Sequence, residues 1–322
     1  MKNTLIATTA VALGLVLAGC GGGGSGGSTA AGGTAASGQP AAGGNELAGL
    51  KGTIGSKDFS EQYILAHLTT DLLNAHGAAL EANTKLVGSA NVRQALENKQ
   101  FLGYWEYTGT SWITYNKNTS PVKGAEAQFT AVKKADAAKA IAWLDPAPLN
   151  NTYAFAIRKD KGTQLGVTKL SDVAKLPESE KTFCIESEFS TRDDGWPGLK
   201  AAYAITTPDS NVKMLDTGVI YTATQKGQDC NFGEVFQTDG RIAALGLTVL
   251  EDDKQFFPVY QGGFTLQADV LAKYPKIADV MALMSPKLTT EEMQKLNAKV
   301  DVDGENPETV AAEWLKQAGL VT

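Results

Sequence analysis

From about residue 47 to the end, short strand-like runs alternate with stretches of helical apolar spacing, a rhythm that restricts the chain to a layered α/β architecture. Lys51-Gly52-Thr53-Ile54-Gly55-Ser56 reads as a strand entering a turn. Asp58 and Glu61 then have the spacing of a capping box. Ile64, Leu65, Leu68, Leu72 and Leu73 recur at helical intervals, and Gly77 is placed to end that helix. Leu86 and Val87 predict the next strand and residues 91–97 the next helix. Such alternation implies a largely parallel sheet. A second run begins after the turn-rich residues 144–148. Strands are expected at 153–157, 182–185, 213–215, 233–236 and 248–250, with helices opening at Ser171 and after Thr217. Beyond Phe256-Phe257-Pro258 the pattern reads as mainly helical, at 271–274, 277–284, 290–300 and 307–318. No internal repeat is visible.

The N-terminal residues have a different composition. Lys2 precedes an apolar stretch at 5–17, too short for a span that needs about 20 apolar residues, and it reads as a secretion signal. Leu17-Ala18-Gly19-Cys20 resembles the bacterial lipobox, in which the cysteine is lipidated and becomes the mature N-terminus. Residues 1–19 are therefore expected to be a removed leader and Cys20 the anchor. The expected location is extracytoplasmic, held to the cell membrane by lipid alone. Residues 20–46, almost all Gly, Ser, Ala and Thr after the cysteine, read as a tether with a reach of roughly 25–30 Å.

The net charge of −6 argues against nucleic acid as a partner. After Cys20 only Cys184 and Cys230 remain; in an oxidising compartment such a pair is expected to be bonded, with two separate buried thiols as the alternative. The two histidines, His67 and His76, lack the spacing of a metal-ligand pair. No nucleophile elbow, phosphate loop or dinucleotide fingerprint is present. The expectation is a non-enzyme with neither metal nor cofactor.

Aromatic residues are unevenly distributed. Tyr104-Trp105-Glu106-Tyr107-Thr108-Gly109-Thr110 concentrates three rings, and Trp112, Tyr115, Tyr153, Tyr221, Phe236 and Tyr260 fall at or near expected strand ends. Ligands of open α/β sheets bind beyond those ends. Ring faces suit a cation without N–H donors, such as trimethylammonium, each contributing about 0.5–2 kcal/mol. Any one of these rings has core packing as its alternative role.

The segment Gly55-Ser56-Lys57-Asp58-Phe59-Ser60-Glu61-Gln62-Tyr63-Ile64-Leu65 resembles the opening of the osmoprotectant-binding family of ABC-transporter substrate-binding proteins, which serve glycine betaine, carnitine and choline. Glu106-Tyr107-Thr108-Gly109-Thr110, Asn150-Asn151-Thr152-Tyr153-Ala154, Thr238-Asp239-Gly240-Arg241-Ile242 and Leu250-Glu251-Asp252-Asp253-Lys254 with Phe257-Pro258 follow in the family's order. The resemblance implies a type II periplasmic-binding-protein fold: two α/β lobes, 47–150 plus 258–322 and 151–257, joined by two crossover segments. It implies a quaternary-ammonium solute as ligand, with permease and ATPase subunits as partners. It suggests Gln62, Thr108 or Thr110, Asn151 and Tyr153 at the ligand. Trp105, Tyr107, Tyr153, Phe236 and Tyr260 are the candidate cage. Two departures stand out: Phe236 replaces a tyrosine common in relatives, and Tyr104-Trp105 a more usual Tyr-Pro. Arg192 and Arg241 are candidates for a ligand carboxylate, Arg241 having as its alternative a structural role capping the loop after Asp239. The alternatives for the ligand are choline, carnitine or ergothioneine, and for the role a ligand-sensing surface lipoprotein without transport.

Overall fold

The computed structural model describes residues 43–322. The expected leader, Cys20 and most of the tether lie outside the described residues. The strands are β1 (Lys51–Gly55), β2 (Ala79–Asn83), β3 (Gly103–Tyr107), β4 (Ile141–Trp143), β5 (Tyr153–Arg158), β6 (Phe183–Ile185), β7 (Val212–Met214), β8 (Phe232–Phe236), β9 (Leu247–Val249) and β10 (Gly262–Gln267). They form two five-stranded sheets, ordered β2-β1-β3-β10-β4 and β7-β6-β8-β5-β9. The main helices are α1 (Ser60–Ala75), α2 (Ser89–Glu97), α3 (Ala125–Ala137), α4 (Trp196–Tyr203), α5 (Thr217–Lys226), α6 (Lys276–Met284), α7 (Thr290–Asp301) and α8 (Pro307–Gln317). No helix among the described residues is long and apolar enough to cross a membrane.

Each sheet follows one plan. Three strands run parallel, β2-β1-β3 in one sheet and β7-β6-β8 in the other. The fourth in order is antiparallel to both its neighbours, β10 between β3 and β4, and β5 between β8 and β9. These two strands are the ones the chain enters on passing between sheets, from β4 to β5 and from β9 back to β10. The passing segments are themselves joined: Asn151 donates its backbone N–H to the Tyr260 carbonyl at 3.1 Å, and Tyr260 N–H donates to Asn150 Oδ1 at 2.8 Å. The Thr108 hydroxyl, at the end of β3, ties in the same segment by donating to the Val259 carbonyl at 2.8 Å.

Strand β10 is absent from the sequence-based expectation, which ran helices from residue 258 onward. Its opening Gly262-Gly263 has weak strand propensity, but the packing demands it. A Cβ on Gly263 would lie 2.8 Å from the Trp143 ring, and one on Gly262 2.9 Å from Leu149. The second strand is also misplaced by sequence. Leu86 and Val87 are irregular, and the strand is Ala79–Asn83, paired residue for residue with β1. Alanine, glutamate and asparagine are poor strand formers, so tertiary pairing overrides propensity here.

Helix α1 buries Ile64, Leu65, Leu68, Leu72 and Leu73, as their spacing implies. Its expected capping box does not form. Phe59 is the N-cap and supplies no side-chain bond, Asp58 instead accepts from Gly88 N–H at 3.0 Å, and Glu61 turns inward.

Cys184 on β6 and Cys230 ahead of β8 form a disulfide with a Cα–Cα distance of 5.7 Å. It closes a loop 46 residues long in sequence separation, and loop entropy of that size corresponds to about 2–4 kcal/mol. Replacing both cysteines by alanine should lower unfolding free energy by roughly that amount in non-reducing denaturant titrations. An unchanged midpoint would show that the cross-link does not hold the second sheet together.

Candidate solute-binding site

The carboxyl ends of the parallel strands in both sheets point at one cavity of ≈ 40 Å³. The segment after β1 contributes Lys57, Asp58 and Phe59, and the end of β3 contributes Tyr107 with Thr110 just beyond. From the second sheet come Tyr153 at the start of β5, Glu186 and Glu188 after β6, Arg192, and Phe236 at the end of β8. The crossover segments add Asn151 and Tyr260.

Its apolar wall is a chain of rings. Phe59 stacks on Phe236 across the cleft, with centroids 5.6 Å apart and planes 16° apart, and lies 6.3 Å from Tyr107. Tyr153 meets Phe236 at 5.2 Å and Tyr260 edge-on at 5.3 Å. The Tyr260 hydroxyl is anchored by donating to Asp194 at 2.5 Å.

The polar wall holds two cations, both already engaged. Lys57 pairs with buried Glu106 at 2.5 Å and sits 5.0 Å from the Tyr107 ring centre. Arg192 binds Asp194 through Nε and Nη2 at 2.7 and 2.6 Å, reaches Glu188 at 2.9 Å, and lies 5.5 Å from the Tyr153 ring centre. Burial would raise the Glu188 carboxyl, but Arg192 and Lys57 outweigh it and hold the group low. Burial raises Glu186, with repulsion from Glu188 adding to it despite a bond from Thr217.

Behind the rings Glu61 is buried and accepts three bonds from three parts of the chain. One oxygen takes the Tyr107 hydroxyl at 2.5 Å and Asn151 Nδ2 at 2.9 Å, and the other takes Asn297 Nδ2 at 3.0 Å. Asn297 also donates to the Thr238 carbonyl at 2.8 Å, reaching the loop after β8. Burial raises the Glu61 carboxyl, while the hydrogen bonds it accepts pull it back.

Of the residues expected at the ligand, the structure brings Tyr107, Thr110, Asn151, Tyr153, Phe236 and Tyr260 together, along with Arg192. Four do not line this cavity. Trp105 is packed in the core against Phe264, its indole N–H donating to Thr69 at 2.8 Å. It shares a strand face with Tyr107 but lies two residues deeper, about 6.6 Å further under α1. Thr108 spends its hydroxyl on the crossover. Gln62 is buried behind the cavity, where its Oε1 accepts from Lys57 N–H at 3.2 Å and its Nε2 has no bond partner. Arg241 takes the structural alternative: it clasps Asp239, reaches Asp301 at 3.6 Å and covers the Tyr221 ring at 4.2 Å. Lys57, Phe59, Glu186 and Glu188 escaped the sequence reading. Lys57 and Phe59 had a usable signal, since they follow directly on an expected strand end. Among the described residues no group of three or more His, Cys, Asp or Glu side chains could hold a metal ion.

Two α/β layers of this topology, with an aromatic cavity facing both, define the type II class of solute-binding proteins, and the comparisons with known proteins agree. The family model described as the substrate binding domain of ABC-type glycine betaine transport system matches residues 53–317, and the chain belongs to that family. It is similar to a glycine-betaine-binding protein of Pseudomonas aeruginosa, 35% identical over 276 residues that cover 83% of this chain and 88% of that one. An ergothioneine transport permease/ergothioneine binding protein of Helicobacter pylori is 32% identical over 83% of this chain, which spans 47% of that protein. A crystal structure of a glycine betaine/carnitine/choline ABC transporter superposes with a TM-score of 0.68 at 29% identity, covering 83% of this chain and 98% of that one.

Two expectations follow from this geometry. A Cβ on Gly109 would lie 2.7 Å from the Tyr260 ring, which its hydroxyl bond prevents from swinging aside. Gly109→Ala should therefore displace Tyr260 and weaken solute binding about tenfold or more, measured by isothermal titration; full affinity would show that Tyr260 is not held as described. The second concerns pH. Glu234 on β8 is buried and accepts from Glu186 N–H at 2.7 Å. Burial, then repulsion from Glu186, pushes its carboxyl well above the ordinary 4.5. A group that holds its proton more tightly when folded adds stability below its unfolded value and loses it as pH climbs through the folded one. Thermal midpoints should fall as pH rises above the ordinary carboxylate range, and Glu234→Gln should flatten the slope. An unchanged slope would assign the titration elsewhere.

Proposed function

We propose that this chain is the extracytoplasmic solute-binding component of an ABC importer, capturing a quaternary-ammonium compound of the glycine betaine type and delivering it to permease and ATPase subunits. The observation that carries the reading is the convergence of Phe59, Tyr107, Tyr153, Phe236 and Tyr260 from both sides of one cleft. Ring faces attract a trimethylammonium head without needing N–H donors. Lys57 and Arg192, on the polar wall, are the groups to receive a carboxylate, exchanging part of their present carboxylate pairing for the ligand's. Each ring contributes about 0.5–2 kcal/mol, so four or five together with a charge-assisted bond reach the roughly 8 kcal/mol of a micromolar complex. No step in this role calls for a catalytic residue.

The cavity of ≈ 40 Å³ lies well below the roughly 300–1,000 Å³ of most small-molecule sites. A ligand therefore enters with the Phe59–Phe236 stack parted, and the two lobes, 47–150 plus 258–322 and 151–257, hinge at the paired crossovers to admit it. Closure is then favoured by the ligand's differential affinity for the closed arrangement. Lipidation of Cys20 after removal of residues 1–19 would hold the protein at the membrane surface on a flexible tether.

Isothermal titration of the protein against glycine betaine, choline, carnitine, ergothioneine and proline tests the reading. One trimethylammonium compound should bind at micromolar affinity or better, and Tyr153→Leu or Phe236→Ala should each cost about tenfold. Heat with proline alone, or with none of them, would sink the ligand class.

A further inference from the structure

Helix α7 opens at the first crossover, where the Thr290 hydroxyl accepts from Asn150 N–H at 2.9 Å. It packs on α1 and α8, in the half built on the first sheet, and buries Met293 and Leu296. Gln294, Asn297, Ala298 and Asp301 recur along it at the spacing of one helical face. That face meets residues 237–241, the loop after β8 in the other half. Gln294 Nε2 donates to the Gln237 carbonyl at 2.8 Å, and Asn297 Nδ2 to the Thr238 carbonyl at 2.8 Å. Gly240 lies against the helix backbone itself: a Cβ there would stand 2.5 Å from Ala298 Cβ and 2.7 Å from its Cα. At the far end Asp301 takes the Ser60 hydroxyl at 2.6 Å from its own half and Arg241 at 3.6 Å from the other. Arg241 is held in turn by Asp239, through its backbone N–H and its Nε at 2.9 Å each. The space left between the two halves here is ≈ 10 Å³, room for about one water. Neither these α7 residues, nor Ser60, nor residues 237–241 line the aromatic cavity.

We propose that this contact is a clamp that holds a closed population of the protein together without solute, so that Gly240, Arg241 and Asp301 set solute affinity from outside the site. The inference deepens the solute-binding reading above and rests on it. Position gives the clamp its leverage. Asp301 stands roughly 16 Å along the helix axis from Thr290, so a hinge motion at the crossovers parts Asp301 from Arg241 more than Gln294 from Gln237. The clamp also positions the cage. Phe59 directly precedes Ser60 and Phe236 directly precedes Gln237, so the stacked rings ride on the two segments that the clamp ties together. A solute that needs the closed arrangement has an apparent dissociation constant equal to the intrinsic one divided by the closed fraction. Weakening the clamp therefore weakens every solute by one common factor, whereas altering a cage ring changes the ratio between solutes. Gly240 isolates the effect: its φ of −67° and ψ of −21° are ordinary for alanine, and the three nearest atoms an added methyl would meet all belong to Ala298 in the other half.

The test titrates the full-length protein with glycine betaine and with choline. Gly240→Ala and Asp301→Ala should each weaken both solutes about fivefold or more, while the ratio of the two affinities stays within about twofold of the wild type. A loss confined to one solute would place these residues in the solute site and overturn the proposal, as would full affinity in both variants. Spin labels on Gln94→Cys in α2 and Gln225→Cys in α5 follow closure with no solute present. Gly240→Ala should shift their distance distribution from the shorter to the longer population. An unchanged distribution would overturn the clamp, even where the thermal midpoint has fallen, because a merely structural role would lower the midpoint alone. If one or both solutes fail to bind the wild type, the ligand reading narrows or fails, and the spin-label distances still decide the clamp.

Discussion

Phe59, at the start of the first helix, lies flat against Phe236, at the end of a strand in the other sheet, and the rest of the cleft is arranged around that stack. On one side Tyr107 continues the ring chain into the core beneath α1. On the other, Tyr153 passes it to Phe189 at 4.8 Å and so to Phe155 at 5.9 Å, deep in the second sheet. The apolar cores of the two sheets thus meet through the residues best suited to hold a cation. On the proposed reading, a quaternary-ammonium solute entering here exchanges ring–ring contact for ring–cation contact. The apolar surface involved stays covered either way, and the cost of parting the rings is offset by the attraction between the cation and their faces.

A buried hydrogen-bond hub sets where those rings stand. Glu61 joins the Tyr107 phenol, the first crossover through Asn151, and helix α7 through Asn297, which in turn holds the loop after β8. Truncating a hub of this kind strands several buried donors at once, each costing about 1–3 kcal/mol. The same carboxylate therefore orients the Tyr107 ring and couples the two sheets. The paired crossovers work alongside it. Each delivers an antiparallel strand into its sheet, and near residues 150 and 260 the two segments are bonded to each other.

Both cations near the rings are matched by carboxylates, Lys57 by buried Glu106 and Arg192 by buried Asp194 and half-buried Glu188. An unpaired buried charge would be far more costly than a paired one. Further carboxylates, Asp58, Glu186 and Asp216, line a groove beside the cavity.

Much of this could be read in the sequence. Helical spacing located α1, residues 153–157 and 233–236 read as strands where β5 and β8 form, and the lone cysteine pair at 184 and 230 pointed to a cross-link; these follow from short-range periodicity and composition. The family's motif blocks contain several residues that line the cavity, including Tyr107, Asn151 and Tyr153. What only the tertiary structure decided is depth and partnership. Trp105 and Tyr107 share one strand face, and nothing local says that one ends under a helix and the other at a cleft. Glu61 has the spacing of a cap, yet its partners at 107, 151 and 297 are far away in sequence. Arg241 went to Asp239 two residues earlier, and Arg192 reached the rings. Strand β10, with two glycines and an antiparallel course, exists because β3 and β4 leave a gap that no bulkier backbone could enter. Local patterns encode which elements form; long-range packing alone determines which side chains meet across them.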